Sequence, residues 1–160
     1  MNFYQQLGFL VFGSRLKRLA DTFIGDVNRI YKKHRIHFDA SWFPVFYILS
    51  EKKEVSIKEI SDELNVSHSA ISQLVGSLQQ KGLIRSLVSK TDARHRSITF
   101  TAKGEKLLQQ IQPVWDALEK AMEKLTNESA QSRKILLALT ALEKNIQHKT
   151  VFERVEKILK

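Results

Sequence analysis

His68, Ser69, Ser72, Gln73, Gly76 and Ser77 are small or carry hydroxyl, imidazole or amide groups, at spacings that place them on one helical face. Opposite them Ala70, Ile71, Leu74, Val75 and Leu78 form an apolar stripe expected to be core. Hydroxyl and carboxamide groups hydrogen-bond base edges in a major groove, and the carboxamide suits adenine. The polar face therefore fits a helix that reads double-stranded DNA; it also fits the solvated side of an ordinary helical hairpin. Just beyond it, Lys81, Arg85, Lys90, Arg94, Arg96 and Lys103 stand against a single acid, Asp92. A local cationic excess of this kind suits phosphate or a narrow minor groove. Ser69, Ser72 and Gln73 are the candidates for base edges, with His68 beside them. Ser77, Lys81 and Arg96 are the candidates for phosphate, and Lys90 belongs to the same basic segment.

No competing chemistry has a complete set of residues. The chain has no Gly-rich phosphate loop, nucleophile elbow or paired metal motif, so no catalytic role and no cofactor are expected. His68 lies between Ser67 and Ser69, where a helix cap and a DNA contact explain the cluster more simply than a triad does. His34 and His37 could approach each other on a helix, but no Cys or carboxylate pair accompanies them, and two surface histidines is the simpler account. With no Cys in the chain, disulfides, thiol switches and Cys-ligated zinc are excluded.

The elements that must position these residues are legible from their ends. Ser56 and Glu59 have capping-box spacing, predicting a short helix through Ile60 and Leu64 that stops at Asn65 and Val66. Ser67 can cap a second helix, and Gly82 after Lys81 suits a left-handed stop. Two helices joined by so short a break predict a helix-turn-helix. Residues 83–89 and 97–101 are rich in apolar and β-branched types and flank the polar run 90–96, predicting a hairpin with a basic tip.

The order of these parts, with Lys81-Gly82-Leu83-Ile84-Arg85, then Asp92-x-Arg94, then Phe100-Thr101-x-x-Gly104, resembles the winged helix-turn-helix of the MarR family of bacterial transcription regulators. The resemblance extends over nearly the whole chain. It implies that Arg94 reaches a minor groove, that Asp92 orients it, and that long flanking helices build a dimer. It also implies a small-molecule pocket near the junction of the dimerisation and DNA-binding parts. Trp42, Phe43, Phe46 and Tyr47 lie close to that junction and are the candidate effector residues, although aromatics at helical spacing equally make plain core. One departure is that the helix carries Gln73 and Ser77 where family members often carry Arg.

The flanks are helical in pattern. Leu7, Leu10, Val11, Leu16, Leu19, Phe23, Ile24, Val27 and Ile30 predict a long helix from about Phe3 to Lys33, bent near Gly8 or Gly13. Asp39 or Ser41 can cap a largely apolar helix through Ser50, with Pro44 in its first turn. Thr101 can start another long helix, which Pro113 should kink. A break near 127–129 precedes a last helix with an amphipathic tail. The stretch 140–157 resembles the junction at which such regulators are fused to an acetyltransferase domain, and no such domain is expected here.

At 160 residues with 42% hydrophobic content, one subunit is expected: a winged lobe over 39–104, with dimerisation helices over 1–36 and 105–160. The fold class is mainly α with a small β-hairpin wing. The formal charge of +9 fits a polyanionic partner. No apolar run is long enough for a membrane span and no cleavable leader is evident, so the cytoplasm is the expected location. The function these features imply is a homodimeric, sequence-specific DNA-binding transcriptional regulator on a near-palindrome, controlled by a small-molecule effector. The rival is a winged-helix module that docks an acidic protein.

Overall fold

In the computed structural model, which describes residues 2–88 and 96–160, the chain divides into two compact units, 1–112 and 113–160. The first opens with α1, Phe3–Gln6, where Asn2 and Gln5 form a reciprocal capping box. Gly8 adopts φ +54°, a left-handed conformation that glycine reaches without strain, and turns the chain through a 3-10 turn into α2, Phe12–Lys33. The bend expected near Gly8 is therefore a full break. Lys32 and Lys33 occupy the last turn of α2, where cations oppose the helix dipole. Of the 22 residues in α2 only Tyr31 is buried, so the apolar stripe read from the sequence exists but this unit does not cover it. Phe9 and Leu10, just before α2, are 93% and 84% exposed.

Asp39 accepts from the Ser41 amide and starts a 3-10 turn that leads into α3, Phe43–Lys52, with Pro44 in the first turn, where its missing N–H costs nothing. Val45, Phe46, Ile48 and Leu49 are buried along α3, while Phe43 and Tyr47 face outward. β1, Val55–Ser56, precedes α4, Ile57–Leu64, and then α5, His68–Gln80. β2, Ile84–Val88, and β3, Arg96–Phe100, complete an antiparallel sheet of order β1-β3-β2. Its register sets Val55 opposite Ile98 and Ile84 opposite Phe100.

The core is threaded by aromatic contacts, edge-to-face at Phe38 and tilted between Phe46 and Phe100. Phe38 lies 5.0 Å from Tyr31 and 4.9 Å from Phe46, and Phe46 lies 4.9 Å from Phe100. This chain of rings joins α2 and α3 to the sheet, while Ile60, Ile71, Val75 and Leu78 seat α4 and α5 on it. Ala70, expected in the apolar stripe of α5, is instead exposed, while its neighbour Ile71 is buried. Leu74 is half-buried.

α6, Ala102–Asn127, runs through Pro113 without ending, and the division between the two units falls at that proline. In the second unit a 3-10 turn at Ser132–Lys134 leads to α7, Ile135–His148. The single last helix expected from the sequence is in fact two. The chain breaks at Lys149, and Thr150 with Glu153 forms a capping box that begins α8, Val151–Leu159. No residue from 113 to 160 is buried within this subunit. None of the described helices is long and apolar enough to cross a membrane.

Candidate functional site

The helix pair is set by local hydrogen bonds that the sequence already announces. The Glu59 amide donates to Ser56 Oγ at 3.1 Å and the Ser56 amide donates to the Glu59 carboxylate at 2.7 Å. The Ser56 backbone bond, followed by its hydroxyl, holds the Glu59 carboxyl below its usual pKa. Asn65 closes α4 at φ 52°, the left-handed conformation that Asn tolerates better than most residues. The Val66 amide donates to the Ser61 carbonyl across this turn at 3.1 Å. Ser67 then caps α5 through the Ala70 amide at 3.3 Å. Lys52 pairs with Glu63, tying α3 to α4, and this hydrogen bond is the main reason the Lys52 pKa is raised.

With its apolar side seated, α5 turns His68, Ser69 and Gln73 outward, while Ser72 and Ser77 are half-buried. Ser69 Oγ lies 3.2 Å from Ser67 Oγ and Ser72 Oγ lies 3.4 Å from His68 Nδ1, so the hydroxyls at the N-terminal end are oriented by neighbours. From Asn65 to Arg85 there is no acidic residue, so nothing on this segment repels a polyanion. Gln73 is free of any such tether among the described side-chain hydrogen bonds. Lys90, Asp92 and Arg94 lie outside the described residues. Arg96 is placed by its backbone alone, which pairs with Val88 at the open end of the β2-β3 ladder.

The wing is fastened at its base by residues that sequence reasoning did not single out. Gln79 Nε2 donates to Ser86 Oγ at 2.7 Å, linking α5 to β2. Thr99 Oγ1 donates to the Lys53 carbonyl at 2.8 Å, and Ser97 donates to the Glu54 carboxylate. The two-residue β1 also escaped sequence reading, because a segment that short shows no periodicity.

At its C-terminal end α5 is gripped by the start of α6. Lys81 follows its last residue, and Gly82 at φ +68° reverses the chain into Leu83. Thr101 Oγ1 donates to the Gly82 carbonyl at 2.6 Å and accepts from the Gly104 amide at 3.1 Å, capping α6. Lys103 Nζ donates to the Lys81 carbonyl at 2.7 Å. A Cβ on Gly104 would lie 2.0 Å from the Leu83 carbonyl oxygen and 2.9 Å from the Phe100 ring, so only glycine allows α6 this close.

Against this joint lies a cavity of about 380 Å³. Trp42, Leu83 and Leu107 give it apolar walls, and Lys81, Lys103, Lys106 and His37 line it with cationic or titratable groups beside Gln110. The Lys81 ammonium stands 5.3 Å from the centre of the Trp42 ring, within cation-π range. Phe38 packs edge-on against that ring at 5.6 Å. Of the four aromatics read as effector candidates, Trp42 borders this cavity, Phe46 is fully buried, and Phe43 stacks on Tyr47 at 5.5 Å on the exposed side of α3. His34 caps the end of α2 and His37 borders the cavity; no metal-binding cluster occurs among the described residues.

Two helices joined at a left-handed Asn, the second lying free on its polar side, with an antiparallel ladder rising beside it, define a winged helix-turn-helix protein. Residues 38–95 match the sequence model of the MarR family. Among curated proteins, the HTH-type transcriptional repressor IacR of Pseudomonas putida is 28% identical over 117 residues, covering 72% of this chain and 69% of that protein. Among solved structures, the S. aureus MepR-DNA complex aligns with a TM-score of 0.70 at 17% identity, over 84% of this chain and 97% of that one. A mutant of E. coli MarR complexed with operator DNA aligns with a TM-score of 0.63 at 20% identity, over 91% of this chain and 99% of that one. The match to the MarR family model is confined to residues 38–95, and over most of the chain the fold is that of these solved winged-helix structures.

Proposed function

We propose that the chain acts as a homodimer that binds a near-palindromic operator and is released or retained by a small-molecule effector. The observation that carries this reading is α5: capped at both ends, free of acids and open along its polar side, beside the ladder that leads to the basic tip. Ser69, Ser72 and Gln73 read base edges, Ser77 and Arg96 meet phosphate, and Arg94 enters the minor groove with Asp92 orienting it. His68 and Lys90 add contacts at the helix start and the wing. Lys81, read from the sequence as a phosphate contact, is turned to Trp42 and serves DNA only if it leaves that ring. Relatives of the same fold have been captured on DNA, which supports the partner assigned here.

Support for the dimer comes from surface that one subunit leaves uncovered: the apolar face of α1 and α2 in the first unit, and in the second α7, where only Leu139 is half-buried, and α8. Two reading helices in such a dimer meet successive major grooves, with half-site centres about 10 base pairs apart. An effector that binds one spacing of the two heads better than the other changes DNA affinity by that difference.

The deciding experiment selects bound sites from a random duplex pool and then measures affinity across a salt series. A near-palindrome with marked preference and a steep salt slope is expected. Salt dependence without sequence preference would leave only electrostatic attraction, and no binding to any duplex would favour docking of an acidic protein.

A further inference from the structure

We infer that Gln79 on α5 and Thr99 on β3 are positioning residues that lock the wing at one angle to the reading helix. The gap between the helix and wing contacts to DNA is then fixed at the base of the ladder. For that consequence the inference rests on the DNA reading above; the lock itself does not. Gln79 Nε2 donates to Ser86 Oγ at 2.7 Å, and Thr99 Oγ1 donates to the Lys53 carbonyl at 2.8 Å. The register sets Ser86 opposite Ile98 and Arg85 opposite Thr99, so the two bonds stand on neighbouring rungs. Paired residues share a face of a sheet, and successive residues of a strand point to opposite faces. Ser86 therefore lies on the face of the buried Ile98, while Thr99 projects from the other face with Ser97, which donates to the Glu54 carboxylate. A ladder held on one face alone can tip about that bond; one held on both faces cannot. β2 is the outer strand of the order β1-β3-β2, and the Gln79 bond ties that strand to the helix.

The far end of the Thr99 bond is itself a built feature. Lys53 adopts φ 62° and ψ −35°, a conformation that residues with a Cβ rarely occupy. The Glu54 amide donates to the Lys52 carbonyl at 2.7 Å across it, closing a three-residue turn of the strained kind. Such strain persists only where the surroundings over-determine it, and here the turn delivers the Lys53 carbonyl to Thr99 and the Glu54 carboxylate to Ser97. Angular play at the base is magnified along strands that rise about 3.3 Å per residue, and the basic run begins just beyond Val88. Two side chains that touch no base thereby set where the wing meets the duplex.

The variants are Ser86→Ala and Thr99→Val, with Ser86→Thr as the conservative control that keeps the hydroxyl. Amide hydrogen exchange on the free full-length protein is the first readout. Exchange in β2 and β3 is expected to quicken about fivefold in Ser86→Ala and in Thr99→Val, the factor that one net hydrogen bond is worth. α4 and α5 should keep the parent's rates, and Ser86→Thr should behave as the parent. A ladder that exchanges as before, or exchange quickened equally throughout the lobe, would overturn the lock. The second readout is a double-mutant cycle with Arg94→Ala on the selected operator. Arg94→Ala is expected to weaken binding about tenfold in the parent and about twofold in Ser86→Ala, because a wing that tips makes little use of its arginine. Equal losses in the two backgrounds would overturn the positioning role, since Ser86 would then act through stability alone. An Arg94→Ala change without effect in the parent would instead remove the wing from the proposed function, and the exchange readout still decides the lock.

Discussion

Gln73 and Gly104 are the residues at which a single substitution is most informative, because each does one thing. Gln73 is exposed and neutral on the open side of α5. Gln73→Ala is expected to leave the salt slope of DNA binding unchanged while costing roughly 1 to 3 kcal/mol of discrimination at one base position. Binding to the selected operator and its single-base variants checks this, and a uniform loss over all sequences would remove the base-reading role. Gly104 acts through fit. A methyl group there meets a backbone carbonyl at 2.0 Å, which no side-chain rotation relieves. Gly104→Ala should therefore destabilise the fold by about 3 kcal/mol, the upper end for overpacking, as read in denaturant unfolding. A midpoint unchanged from the parent would show that α6 shifts freely away from Leu83.

At the scale of elements, α4 depends on a cap that has a pH signature. Ser56→Ala removes the hydroxyl that accepts the Glu59 amide and should cost about 1 kcal/mol. Glu59 contributes through its charge: its folded pKa is lowered, so its contribution is present above the unfolded carboxylate pKa and is lost as pH falls through the folded value. Glu59→Gln should accordingly flatten the acid limb of the stability profile relative to the parent, with little difference in that slope near neutrality. Parallel acid limbs for the two proteins would deny the capping carboxylate its role. The wing has a comparable fastening in Gln79 and Ser86, whose single hydrogen bond links helix to strand.

For the whole molecule, the uncovered apolar surface is the main physical fact. Leu136 and Leu137 are 73% and 75% exposed, as is 73% of Phe152, in a unit that buries none of its residues. A set of helices with no buried side chain gains little from the hydrophobic effect on its own, and the proposed dimer would cover this surface. Removing the chain after Ala141 is expected to abolish the dimer and yield monomer or aggregate, as followed by sedimentation and light scattering. A truncated protein that remains a monodisperse dimer, with full operator affinity, would refute the role of the last two helices.

What the sequence by itself determined is whatever is decided within three or four residues. The caps at Ser56, Ser67 and Thr101 and the left-handed Gly82 form as read, because donor, acceptor and turn are neighbours in the chain. The Thr150 and Glu153 box was equally local and was there to be read, although the apolar pattern running on past it concealed the break. Tertiary structure decided the rest. β1 exists only because β3 pairs with it across a long stretch of sequence, Val55 with Ile98 and Ser56 with Ser97. Ala70 is exposed although it shares a periodicity with Leu74 and adjoins the buried Ile71. Phe46 and Trp42 are both aromatics of one segment, yet one is sealed among Phe38 and Phe100 and the other borders a cavity. Gly104 and Lys81 acquire their roles from Leu83 and Trp42, partners that helical spacing does not bring together. Periodicity states which side of an element is apolar; only packing states what lies against it.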